Sequence, residues 1–187
     1  MTHFEFLSVA LSFVLGLAVT VLLTSLLTAF RARRETRLGW LPLTWAAYIL
    51  VIQFDVWWEV YGVATMETWS AGAFVILLLL TLLLFAAGGL ILPRGLRSYP
   101  TDLDAYFEQD GKWAVAVLGV FALTAIVANV MLFDEQPLGL MNLWNLGAIA
   151  ITLTVVTAKR RGIQNAFTIV YGVWVAIYIW TFVPASY

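Results

Sequence analysis

The chain has 187 residues, 63% of them hydrophobic and only 11% charged, with a formal net charge of −1. A soluble domain is about 45–50% apolar and about 25% charged, and a core of this size cannot hide so large an apolar excess, so a water-soluble globule is excluded. With no cysteine and His3 as the only histidine, disulfides, thiol chemistry and any metal or haem held by several His or Cys ligands are excluded as well.

Six apolar segments predict an all-α, polytopic transmembrane bundle forming one domain over residues 1–187. They run over residues 6–30, 41–61, 71–92, 113–133, 140–158 and 163–183. Each has about 19–25 residues, enough to cross a hydrocarbon core of about 30 Å at about 1.5 Å per residue. The runs are continuous, whereas the strands of an outer-membrane barrel would alternate over about ten residues.

The first segment lacks a basic stretch before it and is too long for the apolar part of a signal peptide. It reads as a retained span. Along it Ser8, Ser12, Gly16, Thr20, Thr24 and Thr28 recur every fourth residue. Small residues at this spacing let helix backbones approach closely, so the stripe predicts helix packing, against a neighbouring helix or another subunit. Two other readings are hydroxyls that bond back to carbonyls of their own helix and a polar track along a path.

The second segment ends in VIQFDVWWEVYG, residues 51–62, which holds Gln53, Asp55 and Glu59 in an apolar run. Asp55 lies 14 residues beyond Leu41, roughly 21 Å along a helix and so about 9 Å below the far boundary of the hydrocarbon. Glu59 lies close to that boundary. Three readings compete for Asp55: a structural carboxylate bonded to Asn129, Asn142 or Asn145; a protonated acid, its charge disfavoured by burial and by Glu59; or one of a pair that draws a cation or proton into a path. Glu59 reads as a bystander at the interface. Trp57, Trp58, Tyr61, Trp69, Trp144 and Trp180 are explained by an aromatic belt at the membrane surface, with contact to a pigment, quinone or lipid as the alternative.

The connection between the third and fourth segments, residues 93–112, is the longest. Thr101 as N-cap, Asp102 and Asp104 in a first turn, and Leu103, Tyr106 and Phe107 on one face predict a short helix lying on the membrane surface.

All ten Lys and Arg fall in three connections. Arg31, Arg33, Arg34 and Arg37 follow the first segment; Arg94, Arg97 and Lys112 follow the third; Lys159, Arg160 and Arg161 follow the fifth. Short basic connections stay on the cytoplasmic side, which predicts both termini outside, periplasmic for a bacterial inner membrane. The opposite face carries only acids: Glu5, Glu67, Asp134 and Glu135. The basic residues are explained by topology, so no nucleic acid partner is expected.

The stretch FEFLSVALSFVLGLAVTVLLTSLL, the basic connection after it, LPLTWAAYILVIQFDVWWEVYG and the later YFEQDGKW resemble a group of short six-helix bacterial membrane proteins of unassigned function. The resemblance implies six spans and supplies no activity.

No catalytic set is found, so an enzyme is not expected. Every proline lies at a segment end, which argues against the broken helices of a monomeric carrier. The leading expectation is a non-catalytic accessory or assembly subunit of a larger membrane complex, with lipids and other membrane subunits or copies of itself as partners. The alternative is an oligomeric cation or proton channel or transporter with Asp55 in its path.

Overall fold

The structure is a computed structural model that describes residues 3–62, 70–94 and 102–182. Residues Glu67, Trp69, Arg97 and Thr101 and the side chain of Tyr61 lie outside the described residues, and with them the expectations placed there. The described residues form helices α1 (His3–Ala32), α2 (Trp40–Gly62), α3 (Ala71–Leu90), α4 (Leu103–Tyr106), a π-turn (Phe107–Gly111), α5 (Lys112–Leu132), α6 (Leu140–Thr157) and α7 (Arg161–Phe182). Because α4, the π-turn and α5 run on without a break, there are six rods, each long and apolar enough to cross a membrane. Among the described residues there is no strand, only an isolated bridge between Arg37 and Asp102.

Local chemistry sets the helix ends. Ser70 caps α3 by accepting the Ala73 N–H at 3.1 Å. Pro42 sits in the first turn of α2, where a missing N–H breaks no helical bond. After α5, Asp134 takes the left-handed conformation with φ 56°, which a short polar side chain tolerates, and Glu135 N–H returns to the Asn129 carbonyl at 3.1 Å. Inside the rods every backbone bond is local, as hydrocarbon demands.

The six rods close a ring. α1 packs on α3, α3 on α5, α5 on α6, α6 on α7, α7 on α2, and α2 back on α1. The face of α1 that does this carries Leu7, Leu11, Leu15, Ala18, Leu22, Ser25 and Ala29, all buried. The four-residue stripe of the same helix is not this face. Thr20 and Thr24 are exposed, and a Cβ added at Gly16 would meet nothing within 4 Å. The hydroxyls of Ser8, Thr20 and Thr28 bond back to Glu5, Gly16 and Thr24 carbonyls at 3.0, 2.7 and 2.8 Å. Within the chain, the expectation that the stripe packs against a neighbouring helix is therefore corrected: bulky leucines fill the groove between α1 and α3.

At one end the basic connections meet. Leu103 N–H donates to the Arg37 carbonyl at 3.1 Å, and Arg161 pairs with Asp104 and, at 3.2 Å, with Glu108. Lys112 also reaches Glu108, at 3.1 Å. The segment 102–111 thus ties the first and fifth connections together. Its helix was expected on the membrane surface with Thr101 as cap. Instead Asp102 is the cap, accepting from Asp104 and Ala105, and Leu103 and Phe107 are fully buried in the main core beside Ile91, Leu92 and Val115. Protein, not lipid, covers its apolar face.

Candidate functional site

α2 turns two polar faces in opposite directions. Gln53 and Asp55 are two residues apart, about 200° around a helix, so they cannot share a surface. Gln53 is fully buried toward α1 and α3. Its Nε2 donates to the Leu84 carbonyl at 3.3 Å, and its Oε1 has no partner among the described residues. Gly88 makes this fit possible: a Cβ there would lie 3.2 Å from Gln53 Nε2 and 3.5 Å from the Ala18 carbonyl oxygen. The structure therefore separates Gln53 from the two acids with which the sequence grouped it.

Asp55 and Glu59, one turn apart, face a cavity of about 120 Å³ bounded by α2, α5, α6 and α7. Asn129 of α5, Trp144 and Asn145 of α6, and Tyr171, Trp174 and Tyr178 of α7 line it with them. All except Tyr171 come from the halves of their helices remote from the basic connections. Among the described residues no Lys, Arg or His lines it, so the carboxylates have no cationic partner among them.

Asp55 makes no hydrogen bond or ion pair among the described residues. The expected bonds to Asn129, Asn142 and Asn145 are absent, and those amides donate elsewhere. Asn129 Nδ2 donates to Asn142 Oδ1 at 3.0 Å, Asn142 Nδ2 to the Gln136 carbonyl at 2.9 Å, and Asn145 Nδ2 to the Met141 carbonyl at 3.3 Å. Each of these nitrogens spends one of its two N–H donors, and the Asn129 and Asn145 oxygens are left as acceptors beside the cavity. Glu59 is not a bystander. Its Oε1 accepts the Tyr178 hydroxyl at 2.7 Å, which joins α2 to α7 at the site.

The aromatics divide between wall, floor and surface. Trp144 and Trp174 stack at 4.1 Å and 20°, with Trp174 Nε1 donating to the Trp144 carbonyl at 3.3 Å. A side chain at Gly147 would collide with the Trp174 ring. Trp144 is thus a wall of the cavity rather than only a belt residue. Trp57, Trp58 and Trp180 are exposed on the bundle surface, the placement a belt requires. Toward the basic end the floor is a cluster of Trp45, Tyr48 and Tyr171, with ring centroids 4.7–5.6 Å apart. Thr168 pins it, its hydroxyl accepting from Trp45 Nε1 at 3.0 Å and its carbonyl from the Tyr48 hydroxyl at 3.1 Å. Tyr171 is 4% exposed, yet its hydroxyl has no partner among the described residues.

The sequence reading passed over Tyr171, Trp174 and Tyr178. One signal marked them: with Val175 they recur at i, i+3, i+4 and i+7, one face of a helix. The stripe of α1 contributes nothing to the cavity of the single chain.

Among the described residues no group of three or more His, Cys, Asp or Glu side chains is placed to hold a metal ion. No family model matches the chain, and no curated protein or solved structure is similar to it. The likeness to short six-helix bacterial proteins rests on the quoted segments alone.

Proposed function

We propose that the protein is an integral protein of the bacterial inner membrane that admits a cation or proton into the Asp55–Glu59 cavity as a step in its transport. One observation carries this: two carboxylates, two amide oxygens and a tyrosine hydroxyl converge on one cavity whose lining, among the described residues, holds no basic side chain. Carboxylates set inside a membrane, near water but without a counter-charge, draw cations. The basic connections, gathered at the other end, support a cytoplasmic placement for that end. The cavity then opens toward the outside, and the Trp45–Tyr48–Tyr171 floor separates it from the cytoplasmic half. Flux would require that floor to move.

Reconstitution in liposomes tests this. Wild-type protein should carry protons or monovalent cations, and Asp55→Asn should reduce the flux at least tenfold; flux unchanged in Asp55→Asn contradicts the proposal. Sidedness is checked with cysteines placed at Glu135 and Arg34 in a chain that has none of its own. A membrane-impermeant reagent applied outside should label the first and not the second.

The role of accessory subunit keeps one specific support. The small-residue stripe of α1 faces outward, with open space over Gly16, and such a face suits close packing with another membrane helix, from a second copy or a partner. A Gly16→Leu chain that keeps the native assembly size in mild detergent would remove that support.

A further inference from the structure

We infer that the cavity is a binding site for a small alkylammonium cation, which deepens the cation reading above and rests on it. Three features of the site select this class. First, most of the unengaged polar atoms accept hydrogen bonds: both oxygens of the Asp55 carboxylate, the second oxygen of Glu59 and the amide oxygens of Asn129 and Asn145, each of whose nitrogens spends one of its two N–H donors within the protein. A ligand satisfying them brings N–H donors and positive charge. Second, the space is too large and too apolar for a bare metal ion. Metal ions are gripped by oxygens at about 2.0–2.6 Å, no metal-holding group of acids exists among the described residues, and most of the wall is Val51, Ile52, Leu118, Phe121 and Ala122 with the aromatic rings. A cavity of about 150 Å³ holds benzene, so one of about 120 Å³ suits a cation with a short hydrocarbon tail. Third, Trp144, Trp174 and Tyr178 offer ring surface to an ammonium group, the pairing by which aromatic walls recognise organic cations.

Tyr171 supplies an independent mark of an occupant. Its side chain is 4% exposed, it lines the cavity, and its hydroxyl has no partner among the described residues. The residue is buried while it borders the open space of the cavity, so a ligand or ligand-bound water there completes the hydroxyl's bonding. In the bound arrangement the ammonium group lies between Asp55 and the Asn145 oxygen, and the alkyl tail points toward Leu118 and the tyrosine floor.

The test is a titration of the full chain in lipid nanodiscs with n-propylammonium chloride, read by calorimetry and by the shift in melting temperature. Potassium chloride at matched ionic strength is the parallel arm. Saturable propylammonium binding is expected, weakened at least tenfold in Asp55→Asn and clearly weakened in Trp174→Phe. It should be unchanged in Glu135→Gln, which removes an acid from the same end without touching the cavity. Equal thermal melting of the unliganded variants certifies their folds. Potassium effects that depend on Asp55, without propylammonium binding, would overturn the alkylammonium inference and leave the cation reading standing. No Asp55-dependent effect of either salt would overturn both.

Discussion

The hydroxyl of Tyr178 donates to Glu59 Oε1 at 2.7 Å, between residues 119 positions apart in the chain. This bond holds the end of α7 remote from the basic connections against α2 and fixes one of the two carboxylates that line the cavity. Bonds between membrane helices contribute about 0.6 kcal/mol on average and up to about 1.7 kcal/mol. Tyr178→Phe should therefore destabilise the bundle by about that amount. Glu59→Gln keeps an acceptor for the hydroxyl and should cost less. Unfolding in mixed detergent measures both, and a Tyr178→Phe protein as stable as wild type would show that the bond does not hold α7.

The junction of α1, α2 and α3 depends on the absence of a side chain at residue 88. A Cβ at Gly88 would sit 3.2 Å from Gln53 Nε2 and 3.5 Å from Leu22 Cβ, so a small displacement of Gln53 accommodates alanine. Valine has no such room, and overpacking costs about 1–3 kcal/mol. Gly88→Val should lower the unfolding midpoint well beyond Gly88→Ala. Because Gln53 faces away from the cavity, neither change should alter cation binding if the fold is retained.

The six rods were legible in the sequence because an apolar run long enough to span hydrocarbon is its own signal. The predicted segment 41–61 and the observed α2, Trp40–Gly62, differ by one residue at each end. What each rod faces was less legible. In water a helix reveals its buried side by polarity, but these helices are apolar nearly all round. Exposed Phe13 and Leu17 on α1 are as greasy as buried Leu11 and Leu15. The opposition of Gln53 and Asp55 follows from helical geometry alone and was readable. That Asp55 meets Asn145 and Trp174 across a cavity depends on the order in which the rods pack, and no residue pattern states that order. The segment 102–111 misled for a related reason: an amphipathic turn looks the same whether lipid or protein covers Leu103 and Phe107.

The tie among the basic connections is open to a double-mutant cycle. Arg161 pairs with Asp104 and Glu108, its side chain 35% exposed and theirs 33% and 40%. At that exposure solvent screens the pairs, and a coupling of about 0.2–1 kcal/mol between Arg161→Ala and Asp104→Ala is expected. It should shrink as salt rises. Gly39→Ala should weaken the same tie, because a methyl group there collides with the Asp104 carboxylate. Additive single and double variants at low salt would mean that the Arg161–Asp104 pair does not help to hold the connections together.

In the proposed function the Asp55–Glu59 cavity admits cations from the end remote from the basic connections. Because the native chain has no cysteine, Asn145→Cys places a single thiol in the lining while keeping both carboxylates. Its labelling rate should be measured with two thiosulfonate reagents of equal size, one carrying an ammonium and one a sulfonate, applied from that side. The cationic reagent should react at least tenfold faster, and Asp55→Asn in the same chain should remove most of the preference. Equal rates for the two reagents, or a preference indifferent to Asp55, would contradict the proposed function.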